Sequence, residues 1–228
     1  MIKTLDENNL ITACKKLSKQ DEDLAFIFQT YGVPPLWARE PNFATLLHII
    51  LEQQVSLASA LSAFNKLKEK LGAVVTPAGI LSLTDAEMKA CYFSRQKTVY
   101  ARELAKAILG GNLDLKSFEN LSNEQIKIKL KQIKGIGDWT ADIYLLMAML
   151  RADVMPKGDL ALHVAWQKLK GLERRPTSEE FLHAAENWKP LRSAAARLLW
   201  HFYLNLRKNL ATEDTEKYRE KSATDRHG

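Results

Sequence analysis

The sequence predicts an all-helical protein of 228 residues. Three observations carry this: apolar residues recur with a period near 3.6, paired polar residues stand where helices would start, and glycines stand where they would stop. Phe43, Leu46, Leu47, Ile50, Leu51, Val55 and Ala58 line one face at that period. Residues 73–76 come nearest to a strand and are too short and isolated to make a sheet.

In chain order, helices are expected near 21–31, 43–53, 57–71, 85–91, 95–109, 123–133, 139–150, 160–170, 178–187 and 191–209. Thr84 with Glu87, Ser122 with Gln125, and Thr177 with Glu180 have capping-box spacing, in which two side chains satisfy the first backbone N–H groups. Gly72, the pair Gly110 and Gly111, and Gly171 follow Lys- or Leu-bearing last turns, where a left-handed residue ends a helix. Residues 1–210 form the expected folded part. From Ala211 on, Thr, Glu, Asp, Lys and Arg dominate, so 211–228 is expected to be a fraying polar tail.

Hydrophobic residues make up 46% of the chain and charged residues 26%, which excludes a disordered or fibrous protein. Met1 to Leu10 carry Lys3, Asp6 and Glu7, and the longest apolar run is Ile143 to Leu150, so neither a signal peptide nor a membrane span is expected. The two cysteines, Cys14 and Cys91, lack metal-ligand spacing, and the five histidines show no ligand pattern. A reduced intracellular setting is expected, cytoplasmic, with nucleoid association in a prokaryote or a nuclear location in a eukaryote. A formal charge of +6 favours a polyanionic partner without identifying one.

The segment Ile133-Lys134-Gly135-Ile136-Gly137-Asp138-Trp139-Thr140-Ala141 joins an apolar helix end to a new helix through a two-glycine turn. Such a turn lets backbone N–H groups approach a phosphate oxygen, because glycine carries no Cβ. This segment resembles the helix-hairpin-helix of the 3-methyladenine DNA glycosylase II family. Pro156-Lys157-Gly158-Asp159-Leu160 resembles the Gly/Pro-rich loop and aspartate of its superfamily. Ile50-Leu51-Glu52-Gln53-Gln54-Val55-Ser56 resembles the family's wedge-bearing helix break, and Trp188-Lys189-Pro190-Leu191-Arg192-Ser193 through Trp200 resembles its closing helix.

The resemblance spans about 20–205 and implies a two-lobed helical DNA glycosylase fold. Some members have an extra N-terminal mixed α/β domain, which this chain is too short to contain. It implies catalysis by Asp159, which also stands where a helix N-cap would. Trp139, Trp200 and Tyr144 become walls of a base pocket, and Gln54 the wedge that fills the gap left by an everted base. Gly135, Ile136, Gly137, Thr140, Gln53 and Ser56 become contacts to the DNA backbone.

No organic or redox cofactor and no catalytic metal is expected; a structural Na+ or K+ at the carbonyls of Lys131, Ile133 and Ile136 is the one ion the resemblance suggests. The partner is double-stranded DNA containing damaged bases, bound by a monomer. Members that also cut the backbone carry a lysine at the position of Trp139, so water is the expected nucleophile and alkylated purines the expected substrate. Two alternatives stay open: a bifunctional or oxidised-base glycosylase with lyase activity, and a noncatalytic damaged-DNA-binding protein.

Overall fold

The computed structural model describes residues 3–224, with side chains described for 3–208. Among them there are helices and turns and no β-strand. In order, the helices are α1 (Glu7–Leu17), α2 (Glu22–Tyr31), α3 (Phe43–Glu52), α4 (Leu57–Leu71), α5 (Pro77–Ser82), α6 (Asp85–Ala90), α7 (Arg95–Leu109), α8 (Asn123–Lys131), α9 (Asp138–Ile143), α10 (Leu160–Lys170), α11 (Ser178–Ala185) and α12 (Arg192–Thr224). The chain divides into two compact units, one of 1–36 with 158–228 and one of 37–157.

In the first unit α12 packs on α1, α2 and α10. The unexpected α1 begins at Asp6, whose carboxylate accepts the N–H groups of Asn8 and Asn9 at 2.9 and 2.8 Å. It buries Leu10, Ala13, Cys14 and Leu17, a stripe at helical spacing. Each leucine so buried stabilises the fold by roughly 1.5–3 kcal/mol. Asp21 caps α2 with one oxygen, while the other accepts the indole N–H of Trp188 at 2.8 Å. Trp188 in turn meets Trp166 and Phe181 edge-on. At the centre, Arg197 on α12 is fully buried; its Nε donates to the Leu36 carbonyl at 2.9 Å and a terminal nitrogen to that of Ser193 at 3.1 Å.

In the second unit α7 lies against α3, α5 and α6, α3 against α4, and α8 against α9. The capping boxes at Thr84, Ser122 and Thr177 form as the spacing predicts, and Gly72 and Gly171 end their helices in the left-handed region. Of the Gly110 and Gly111 pair, only Gly111 takes positive φ. The expected 139–150 helix is instead α9 followed by a π-helical turn, Tyr144–Ala148. One tertiary bond and one local bond hold that turn: the N–H of Arg39 reaches the Met147 carbonyl at 2.9 Å, and the N–H of Arg151 that of Leu145, six residues back, at 3.0 Å.

The last helix runs to Thr224, beyond the expected end near 209, because its Glu, Lys and Ala residues are good helix formers. Residues 225–228 of the expected tail lie outside the described residues.

Burial pushes the Arg197 guanidinium down to about 10, against the opposing influence of Cys14 and Glu7, so it still carries its charge at neutral pH. Arg197→Leu should lower unfolding free energy by about 3 kcal/mol in urea titration, because two buried carbonyls lose their donor. A change within about 0.5 kcal/mol would show that these bonds add nothing to stability.

Candidate functional site

The second unit holds the hairpin. Helix α8 stops at Lys131, the Ile136 N–H bonds the Ile133 carbonyl at 3.0 Å, and α9 starts at Asp138. Every helix from α1 to α11 has a side chain capping its start except α9, whose N-cap is Gly137.

The two hairpin glycines serve different needs. Gly135 has φ +96°, and a Cβ there would lie 2.2 Å from the Tyr100 ring, so the fold itself requires glycine. Gly137 has negative φ, and a Cβ would meet nothing within 4 Å. Only at Gly137 is the absence of a side chain left for something outside the chain to use.

The turn after α3 projects Gln54, which is exposed and takes φ +57°, the left-handed region unusual for a non-glycine residue. Three anchors hold the residues before it. Glu52, 8% exposed, makes a two-pronged ion pair with Arg39 at 2.8 and 3.1 Å. The ammonium of Lys97 donates to the Leu51 carbonyl. Gln53 turns inward, its amide nitrogen donating to the Gly135 carbonyl and the Thr140 hydroxyl, each at 2.8 Å. The side chains of Gln53 and Thr140, both expected as contacts to the DNA backbone, are thus engaged with each other: an amide nitrogen has two donor hydrogens, and both are used here. Thr140 is 2% exposed. Ile136 is also buried, so only its backbone is left for a ligand, and exposed Ser56 caps α4 through the Ser59 N–H at 3.1 Å.

Trp139 is half-buried on α9. Tyr144 is fully buried with its ring edge toward Phe118, and its hydroxyl has no hydrogen-bond partner. Burial pushes its phenol well above the ordinary range. The expectation of Tyr144 as a pocket wall is therefore corrected to core packing, since the ring presents no surface.

Asp142, a buried acid on α9, is not among the expected site residues. It pairs with Lys127 at 2.8 Å and accepts the backbone N–H of Lys157 at 3.2 Å, fixing the end of the loop that leads to Gly158. Burial raises its carboxyl above the usual range, and Lys127 opposes that. An acid inside the apolar stretch 141–150 was the available signal, because a buried charge needs a partner.

The first unit holds the carboxylate. Asp159, 8% exposed, is the N-cap of α10, and its Oδ1 accepts the Leu162 N–H at 3.0 Å and the indole N–H of Trp200 at 3.1 Å. Trp200, 9% exposed, thus holds the carboxylate, a role the sequence did not indicate. One turn along, His163 packs on Phe181 with ring centres 5.0 Å apart, and its Nε2 has no hydrogen-bond partner. Burial lowers the His163 pKa, and the nearby Asp159 opposes the shift. No group of three or more acidic, histidine or cysteine side chains suited to a metal occurs among the described residues.

His163 and His48 both titrate below their ordinary value of 6.5 in the fold, chiefly through burial. Each therefore contributes stability that is complete above that value and is lost as pH falls through the folded one. Melting temperature should decline as pH drops below 6.5, and His163→Asn should flatten the decline; an unaltered slope would exclude His163 as a source. Separately, Gly135→Ala should destabilise the protein by more than about 2 kcal/mol while Gly137→Ala stays within about 1 kcal/mol. Equal melting temperatures for the two variants would contradict this.

A family model described as HhH-GPD superfamily base excision DNA repair protein matches residues 47–190. DNA-3-methyladenine glycosylase 1 of Schizosaccharomyces pombe is 35% identical over 165 residues, 71% of this chain and 72% of that protein. The alkylbase DNA glycosidase-like protein mag2 of the same yeast is 30% identical over 193 residues, covering 82% and 90%. The solved structure of the yeast 3-methyladenine DNA glycosylase in complex with abasic DNA superposes with a TM-score of 0.77 at 32% identity, covering 83% of this chain and 95% of that one. With its hairpin, its Gly158-Asp159 loop and this match over most of its length, the chain belongs to the HhH-GPD superfamily of base excision DNA repair proteins.

Proposed function

We propose that the protein is a monofunctional DNA glycosylase that hydrolyses the N-glycosidic bond of alkylated purines such as 3-methyladenine, leaving an abasic site in double-stranded DNA. The observation that carries this reading is Asp159: a nearly buried carboxylate held at one oxygen by two fixed donors, within a chain of this family.

The hairpin binds a backbone phosphate through the N–H groups at the uncapped start of α9, with Gly137 allowing close approach. The carbonyls of Lys131, Ile133 and Ile136 suit a monovalent cation that adds positive charge beside that phosphate; the Ile133 oxygen, bonded once to the Ile136 N–H, keeps a second lone pair. Gln54 fills the space of the everted nucleotide. Trp139 offers a half-buried aromatic face to a base carrying positive charge.

As the C1′–N bond breaks, the base departs with the bonding electron pair and the sugar gains oxocarbenium character, which the Asp159 carboxylate stabilises. A water oxygen then bonds to C1′ and gives up a proton toward that carboxylate. An alkylated purine is already cationic and leaves as a neutral base, so no strong acid is needed. Because position 139 is tryptophan, no amine stands where the lyase members have one, and no covalent adduct forms with the sugar. A site of action alongside the DNA follows from the substrate.

Asp159→Asn keeps the amide oxygen that caps α10 and accepts from Trp200, so it should bind an abasic duplex like the parent while releasing 3-methyladenine at least about 100-fold more slowly. Mass spectrometry of bases released from methylated DNA reads this directly, and undiminished release would remove Asp159 from the chemistry. Trp200→Phe removes one donor and should lower the rate by about tenfold with little change in binding. Borohydride trapping of protein on DNA would favour a lyase instead.

A further inference from the structure

We propose that Gln53 is a positioning residue: its side-chain amide is a strut between the wedge turn and the hairpin, so that gripping a phosphate and holding Gln54 in the base stack act together. The inference rests on the glycosylase reading above and extends it to a residue that touches neither base nor sugar.

The geometry is confined to the second unit. Gln53 ends α3 in extended conformation at ψ 124°, and Gln54 follows at φ +57°. The Gln53 amide crosses to residues 82 and 87 positions further along the chain, the Gly135 carbonyl and the Thr140 hydroxyl. Both acceptors are stiff. Gly135 is closed in by the Tyr100 ring, and Thr140 is almost wholly buried one turn into α9. The turn is equally stiff on its other side, where Arg39 holds Glu52 and Lys97 holds the Leu51 carbonyl.

Three consecutive residues are thus tied to three other elements, and the exposed Gln54 comes directly after them. A side chain that replaces an everted base must resist the restacking of the duplex. A turn free to slide against the hairpin would yield to that force; a double hydrogen bond to the phosphate-gripping element resists it. Since both amide hydrogens are taken, the strut leaves no Gln53 donor for a phosphate.

The test compares affinity for an undamaged duplex with affinity for a duplex carrying an abasic-site analogue, in the parent, Gln53→Met, Thr140→Val and Thr140→Ser. The undamaged duplex reads the hairpin grip. The ratio of the two affinities reads insertion of the wedge. Gln53→Met should lower the ratio about tenfold while leaving undamaged affinity within about twofold. Thr140→Ser should keep the ratio, because it retains the acceptor, and Thr140→Val should lower it part of the way.

A purely structural role would reduce the folded fraction and weaken both affinities together, leaving the ratio unchanged; that result overturns the proposal. Loss of undamaged affinity at constant ratio would make Gln53 a phosphate contact and overturn it equally. If Gln53→Met does not fold, the Thr140 pair decides by the same ratio. A parent protein that neither prefers the abasic duplex nor releases a methylated base would refute the glycosylase reading itself. A parent that does both, beside a Gln53→Met with an unchanged ratio, would refute the strut alone.

Discussion

The Oδ1 atom of Asp159 accepts two hydrogen bonds, from the first turn of α10 and from the Trp200 indole on α12, and this shared acceptor ties helix start to candidate chemistry. An N-cap residue must leave the helical region, and Asp159 does so at φ −68° and ψ 114°. The same backbone geometry that starts the helix therefore sets where the carboxylate points. The indole then limits its rotation. Around this pair the first unit is stitched by similar double duties: Asp21 caps α2 and receives Trp188, and Arg197 joins the carbonyls of Leu36 and Ser193. Few side chains here have a single task, so a substitution that looks local will move more than one contact.

Much of this was legible from residue spacing because it is local. Capping boxes at Thr84, Ser122 and Thr177 involve residues three apart, and the helical period needs only a short window. Helix α1 is equally local in its signals, through Asp6 and the stripe of Leu10, Ala13, Cys14 and Leu17. The π-helical turn was not legible, since it depends on Arg39 meeting the Met147 carbonyl, a contact that no nearby pattern specifies.

The site divides along the same line. Asp159 and the hairpin stand out as motifs in the chain. The inward turn of Gln53 and the withdrawal of Tyr144 into the core do not, because each depends on partners far away in sequence. Gly135 and Gly137 look interchangeable in a Gly-x-Gly string, yet one is demanded by the Tyr100 ring and the other by nothing in the protein. Motif reading identifies that two glycines matter; only packing tells which one a ligand would feel.

The lysines that precede the hairpin change meaning once their partners are known. Lys127 is neutralised by Asp142 and Lys131 by Asp138, so half of the four basic side chains at 127, 129, 131 and 134 are already matched with acids of the protein's own. Counterions are shed from a duplex mainly where unmatched cations replace them. On the proposed reading, attachment through uncharged amide dipoles, with part of the adjoining charge cancelled internally, would make a handle that loosens only gently as ionic strength rises. Such a handle would keep its hold on the duplex under salt conditions that would strip off one relying on a field of free lysines.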